Sequence, residues 1–415
     1  MNAIQEIVRQ HAEDAAFLWL LRSGAISASH FSLQDLADLD NRVEAHIDGL
    51  RVAGDAGWEI CREALSWKEP GEIFAAGVLA FECGDKMRIE TVLEAVGEDP
   101  VLARGLISAL GWVDYGSAAP FIDGFLSSDS PFFRYIGVAT GAVHRQCRMD
   151  ALTAAAHDDN PLLRARALKA IGEMGKREFQ AVVKNHLADE DETCRFWAAW
   201  SAAVFSDSSA AGVLRAIAEA GGPYTEAACR TVMNLMHHRD DREWLASLQH
   251  HPEKQRIAVI GAGALGDSAD IPWLIRMMEI PELARPAGEA FTFITGVDIA
   301  YLDLEGEWPE GFEAGPTEAP EDDNVDLDPD EDLPWPAPER ISAWWDQNRQ
   351  NFRASESYFL GKPVTAGHLE TVLRTGLQRQ RKKAAVMLAA RHPRGIPVFE
   401  TRAPGFRQKQ ILGVS

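Results

Sequence analysis

Between residues 161 and 175 the apolar positions Leu163, Ala167, Ala170, Ile171 and Met174 recur at spacings of four, three, one and three. That spacing places them on one face of a helix. Gly172 and Gly175 then read as stop signals, as do Gly111, Gly266 and Gly296 after their own apolar stretches. The polar positions carry a longer regularity. A turn with Asp or Pro, then Arg, then small apolar residues returns about every thirty residues. It runs Asp99-Pro100-Val101-Leu102-Ala103-Arg104, Asp129-Ser130-Pro131-Phe132-Phe133-Arg134, Asp159-Asn160-Pro161-Leu162-Leu163-Arg164 and Asp191-Glu192-Thr193-Cys194-Arg195. A degenerate copy lies near Pro223, and Pro252 to Arg256 and Pro281 to Arg285 complete the series. Two apolar helical stretches per period of this length predict an all-α solenoid of about seven or eight stacked helix pairs.

The segments outside the period divide the rest of the chain. Residues 1–66 read as non-repeating helices, with Ala15, Phe17, Leu18, Leu20 and Leu21 as one apolar cluster and Ser32 and Asp35 marking a helix start. This segment is expected to cap the apolar end of the stack. The array spans 67–300, beginning at Pro70-Gly71-Glu72-Ile73-Phe74, where Phe74 takes the Arg position. An acidic insertion with Pro and Trp follows at 301–340, and a basic helical unit at 341–415. An Asp at positions 99, 129, 159 and 189 can cap the second helix of each pair. The Arg one turn later can reach a neighbouring unit's carboxylate. Asp99, Arg104, Asp129, Arg134, Asp159, Arg164, Arg195, Arg256 and Arg285 are therefore read as a structural ladder along the stack, with a ligand-binding row as the rival reading.

Composition narrows the partners. Lys plus Arg against Asp plus Glu gives 41 − 63 = −22, which argues against nucleic acid and anionic membranes. The five cysteines are scattered without ligand or disulfide spacing. The longest apolar run, Ala15 to Leu21, is too short to span a bilayer, and the first residues lack a basic-then-apolar leader. A cytoplasmic protein is expected.

Several segments resemble a known group: Phe17-Leu18-Trp19, residues 42–50, Gly288-Glu289-Ala290-Phe291 with Ile294-Thr295-Gly296, residues 328–336, residues 378–385 and residues 403–408. They are similar to an uncharacterised proteobacterial HEAT-repeat family often encoded in type VI secretion clusters, and the unit resembles the short HEAT-like repeats of phycobilisome lyases. The resemblance implies a HEAT-like solenoid and an accessory role near type VI secretion, with a secretion effector or apparatus component as partner. It carries over no catalytic residue.

The insertion is the strongest local departure. Residues 303–339 hold 15 Asp or Glu, no Lys, Arg or His, and 7 of the 21 prolines, so an extended loop is expected. Trp308, Trp335 and the pair Trp344-Trp345 are its candidate anchors. Asp322, Asp323, Asp326, Asp328, Asp330, Glu331, Asp332 and Trp335 are the candidate partner-binding residues. Alternate acids from Asp322 suggest calcium, but Leu327 or Glu331 stands where an EF-hand turn needs Gly. A solvated linker is the plain alternative. The preferred reading pairs the arm with the ten basic residues between Arg374 and Lys409, packing its Asp328-to-Trp335 end internally.

Candidate chemistry is sparse. His237-His238 and His250-His251 are adjacent, which does not suit chelation from a helix, and His46 beside Glu44 and Asp48 reads as a local hydrogen-bonding residue. Cys194 and Cys229 have no partner at a nucleophile motif's spacing. Gly261-Ala262-Gly263-Ala264-Leu265-Gly266 matches a dinucleotide-loop string but follows a helical stretch, where small residues serve close packing. No catalytic, cofactor-binding or metal-ligating residue is assigned. The expected function is a noncatalytic protein-binding scaffold or adaptor. The alternatives are a lyase-like or metal-dependent enzyme subunit with its site in the groove, and an immunity protein that binds a toxin.

Overall fold

The computed structural model describes residues 4–235, 239–315, 328–353, 356–392 and 395–414. It is all-α, with the helical pairs of a HEAT-like solenoid and an acidic proline-rich insertion. One two-residue hairpin, Tyr358–Phe359 against Lys362–Pro363, is the exception among the described residues. The chain forms two compact units, residues 1–201 with 373–415, and residues 202–372.

In the first unit the helices Pro70–Cys83, Pro100–Trp112, Pro131–Val143 and Pro161–Glu173 pack one on the next as the inner row. Each begins with Pro at its first position, where the missing N–H costs no hydrogen bond and the fixed φ already suits a helix. The shorter helices Lys86–Val96, Tyr115–Leu126 and Met149–Ala156 alternate with them. Small residues set the inner spacing. A Cβ at Gly105 would lie 2.1 Å from the Pro70 carbonyl oxygen, so only glycine lets the first two inner helices approach this closely. Before them come Gln5–Ala25, Leu33–Ala53 and Asp55–Ala64. Ser32 and Asp35 cap the second of these reciprocally. Ala15 and Leu18 are buried, but Phe17, Leu20 and Leu21 face solvent, so the expected apolar cluster is divided between two faces of its helix.

In the second unit the inner row is Thr225–Leu235, Gln255–Leu265 and Pro281–Thr295. The glycine string lies inside Gln255–Leu265, where a Cβ on Gly263 would meet Ala290 Cα at 2.8 Å; Gly266 ends the helix at φ 76°. Those glycines serve packing and a left-handed cap. Trp344 packs edge-on to Phe291 at 5.6 Å, and Trp345 lies 5.3 Å from Phe352. Both tryptophans join the core built around Phe291, Ile294 and Ile341. The acidic insertion leaves this unit through a closed neck. The Gly306 amide donates to the Trp335 carbonyl at 2.8 Å, and the Ala337 amide to that of Leu304 at 2.8 Å. Arg340 adds donations to the carbonyls of Asp303 and Glu305.

Candidate functional site

The recurring arginines have two different jobs. Arg134 folds back to donate to the carbonyls of Ser128 and Asp129, and its other nitrogen reaches Asp158 of the next unit at 2.6 Å. Arg164 repeats this, binding the carbonyls of Asp158 and Asp159 and gripping Asp189 through two nitrogens at 2.8 and 3.0 Å. Arg195 likewise donates to the carbonyls of Asp189 and Glu190. Two nitrogens on one carboxylate give a strong, directional rung. Burial alone would raise Asp189, but Arg164, the Asp191 amide and His186 outweigh it and hold the carboxyl at about 2.

The register differs from the sequence reading at several places. Asp99 caps its helix, accepting from the Val101 amide, but Ser130 and Asn160 occupy the cap positions expected for Asp129 and Asp159. Asp189 is a rung carboxylate, and Asp191 accepts from the Cys194 amide instead. Arg104 is not a rung. It stands four residues after its helix-opening proline, whereas Arg134 and Arg164 stand three after theirs. One residue is a 100° turn of the helix. That turn carries Arg104 to an exposed face, with no ion-pair partner among the described residues.

Arg256 and Arg285 hold the acidic arm. Asp330 accepts from both terminal nitrogens of Arg256, at 2.7 and 3.0 Å, while Arg256 Nε donates to Glu226 of the preceding inner helix at 2.9 Å. Asp328 accepts from Arg285 at 2.6 Å and, through its other oxygen, from the Asp330 amide at 2.9 Å. Arg285 is 3% exposed. Its guanidinium lies 5.0 Å from the Trp308 ring and 5.5 Å from that of Trp335, both within cation–π range. Glu331 and Asp332 are exposed, while Asp322, Asp323 and Asp326 lie outside the described residues. For Asp328 and Asp330 the expected pairing with the basic C-terminal stretch is therefore replaced by two arginines of the repeat array.

Among the described residues, several cations of the basic stretch are engaged inside its own unit. Residues 396–408 pass the C-terminal ends of three inner helices in turn. The Val398 amide donates to the Glu173 carbonyl at 2.8 Å, and Arg145 donates to the Val398 carbonyl at 2.6 Å. Arg407 donates to the carbonyls of Gly111 and Trp112, and the Gly405 amide to Asp40. Arg381 is fully buried among oxygens of Leu373, Gln378 and Gln408; burial lowers it to about 10. A charged cluster around the buried Glu173 joins the partly exposed Arg402 to Glu400 (2.8 Å) and Glu173 (3.3 Å), and Arg166 to Glu173 (3.0 Å). Burial would raise Glu173 and Glu400, but the surrounding cations hold both carboxyls below their usual range. Sequence reasoning missed this network. Its signal was that Arg166, Lys169 and Glu173 stand among apolar residues of one helix.

The remaining candidates are quiet. His46 sits 3.2 Å from His11, nitrogen to nitrogen, and 3.6 Å from Asp14. His237 and His238 lie outside the described residues, and His251 is exposed beside Glu253. Among the described residues no three His, Cys, Asp or Glu side chains converge for a metal, and no helix is long and apolar enough to cross a membrane. Burial pushes the Cys194 and Cys229 thiols up to about 12, far from a nucleophile's range.

No curated protein matches the chain. Residues 149–234 match the family described as HEAT repeats, a repeat type that generally serves as a protein-interaction scaffold.

Proposed function

We propose that the protein is a noncatalytic scaffold or adaptor that binds a protein partner. The observation that carries this reading is the solvent face of the first helix. Phe17, Leu20 and Leu21 are 58%, 59% and 46% exposed at i, i+3 and i+4, a continuous apolar stripe of the kind that marks an interaction surface. The HEAT-repeat match over 149–234 supports the same class of function. The exposed Glu331 and Asp332, with Asp322, Asp323 and Asp326, supply negative charge that would steer a basic partner toward the protein. The resemblance of the chain to a type VI secretion-linked family supports an effector chaperone or adaptor as the finer reading. Affinity capture from native cells tests both parts. Bait carrying Phe17→Asp and Leu20→Asp should lose a partner that wild-type bait retains. Neutralising the five acids of 316–327 should slow that partner's association. Recovery of the same proteins at equal yield by all three baits would refute the reading.

A further inference from the structure

We infer that the groove of the first unit is a binding site for a small phosphate monoester with an aromatic or aliphatic body. A cavity of about 360 Å³ lies there, walled on one side by Glu400 to Pro404, a size that suits a metabolite. Five lining side chains are cationic, Arg22, Arg104, Arg166, Lys169 and Arg402, and one is anionic, Glu400. Adding Asp40 and Glu173, which bind Arg22 and the Arg166–Lys169–Arg402 group, leaves 5 − 3 = +2. This surplus sits within a chain of net charge −22.

Several lining side chains fall at repeated positions of the inner helices. Arg104 and Tyr135 each stand four residues after the helix-opening proline, and Ser108 and Lys169 eight after theirs, so they share one face. Arg104 has no ion-pair partner among the described residues, and Arg166 Nη1 is buried without a hydrogen-bond acceptor. An unanswered buried donor costs free energy that a ligand oxygen recovers. Burial lowers the Lys169 ammonium to about 7, with Arg402 and Arg166 adding to the effect against the opposing pull of Glu173 and Glu400.

The second unit shows what such an arginine takes. Arg285 also stands four residues after its proline, and there the Asp328 carboxylate and two tryptophan rings complete it. At Arg104 no carboxylate among the described residues supplies the anion, while Trp112, Tyr135 and Val143 line the same cavity and offer surface to an apolar body. Guanidinium forks beside an ammonium suit the several oxygens of a phosphate better than a single carboxylate.

Calorimetric titration of the full chain with phenyl phosphate tests this. Saturable one-to-one binding is expected, weakened about tenfold or more by Arg104→Gln, the loss of one charged hydrogen bond. Ser108→Glu, which places a carboxylate on the same face, should abolish it and decides the matter if R104Q misfolds. Absence of saturable heat up to about 10 mM would overturn the site. So would benzoate or inorganic phosphate binding as tightly as the ester, or R104Q and S108E both binding like wild type.

Discussion

Asp328 is the residue on which the neck of the acidic arm depends most. Its partner Arg285 is 3% exposed and its own side chain 10%, so truncation leaves a guanidinium with no carboxylate in a dry site. Such a loss costs about 3–5 kcal/mol. The Asp328→Ala change also removes the acceptor for the Asp330 amide. Asp330→Ala should cost less, about 1–2 kcal/mol, because Arg256 is one-third exposed and keeps Glu226. Glu331→Ala removes the same charge from the exposed side chain that follows Asp330 and should change stability by under about 0.5 kcal/mol. Hydrogen exchange reads these differences locally, at the Gly306 and Ala337 amides that close the neck. A loss of about 3 kcal/mol accelerates their exchange roughly a hundredfold, or removes protection if the neck is less stable than that. Replacing both partners, Asp328→Leu with Arg285→Met, should recover part of the protection, since no charge is then stranded. Exchange at Gly306 and Ala337 within about threefold of wild type in D328A would refute the reasoning, because it would mean that the pair is not holding the neck.

Other consequences are independent of the arm. Asp189→Asn should destabilise the first unit by about 2 kcal/mol at neutral pH, the difference between a carboxyl held at about 2 and its unfolded value near 3.8. Because the folded value is the lower one, the contribution is complete above the unfolded value and fades as pH falls toward 2; the gap between variant and wild type in urea unfolding should be about halved at pH 3. Cys83 is exposed, while burial pushes Cys61, Cys194 and Cys229 up to about 12. Iodoacetamide at neutral pH should label Cys83 first and those three only after unfolding, as peptide mass mapping would show. A Cβ on Gly405 would lie 2.5 Å from Ala37 Cα, so Gly405→Ala should push the last helix off Leu33–Ala53. Its cost is about 1–3 kcal/mol, seen as a lower Tm and faster proteolysis after residue 400.

The repeat was legible because the same physical needs recur in every unit. Pro opens the inner helices of the first unit and the last inner helix of the second, small residues set the spacing between neighbours, and several of the recurring arginines tie a turn to the next unit. Trp308 and Trp335 were legible as anchors because large aromatics in an otherwise polar loop have few other uses, and both stack on Arg285. The destinations of the charges were not. Fifteen acids beside ten bases look like mutual partners in a linear sequence, yet a long side chain pairs with whatever the fold brings within reach. For Asp330 that is Arg256, 74 residues away, and for Arg145 it is the Val398 carbonyl and Glu400. The C-terminal stretch reads as a basic surface, but Arg381 is fully buried and Arg407 is spent on helix-end carbonyls.

The distinction between Arg104 and Arg134 shows how fine the missing information was. Both follow an Asp and a Pro and precede small apolar residues, and they differ by one residue of spacing from the proline. In a helix that difference is about 100°, enough to move a guanidinium from the edge, where the next unit's carboxylate waits, to the open face. The three-residue spacing recurs at Arg164, and Arg195 stands three after Glu192, the first residue of its helix; both bind their own loop carbonyls, while the four-residue spacing recurs at Arg256 and Arg285, both bound to the arm. Spacing thus sorts the arginines into those that hold the stack together and those that hold something laid against it. By that rule Arg104, the one arginine of its class with no carboxylate in reach among the described residues, is where a ligand is still to be found.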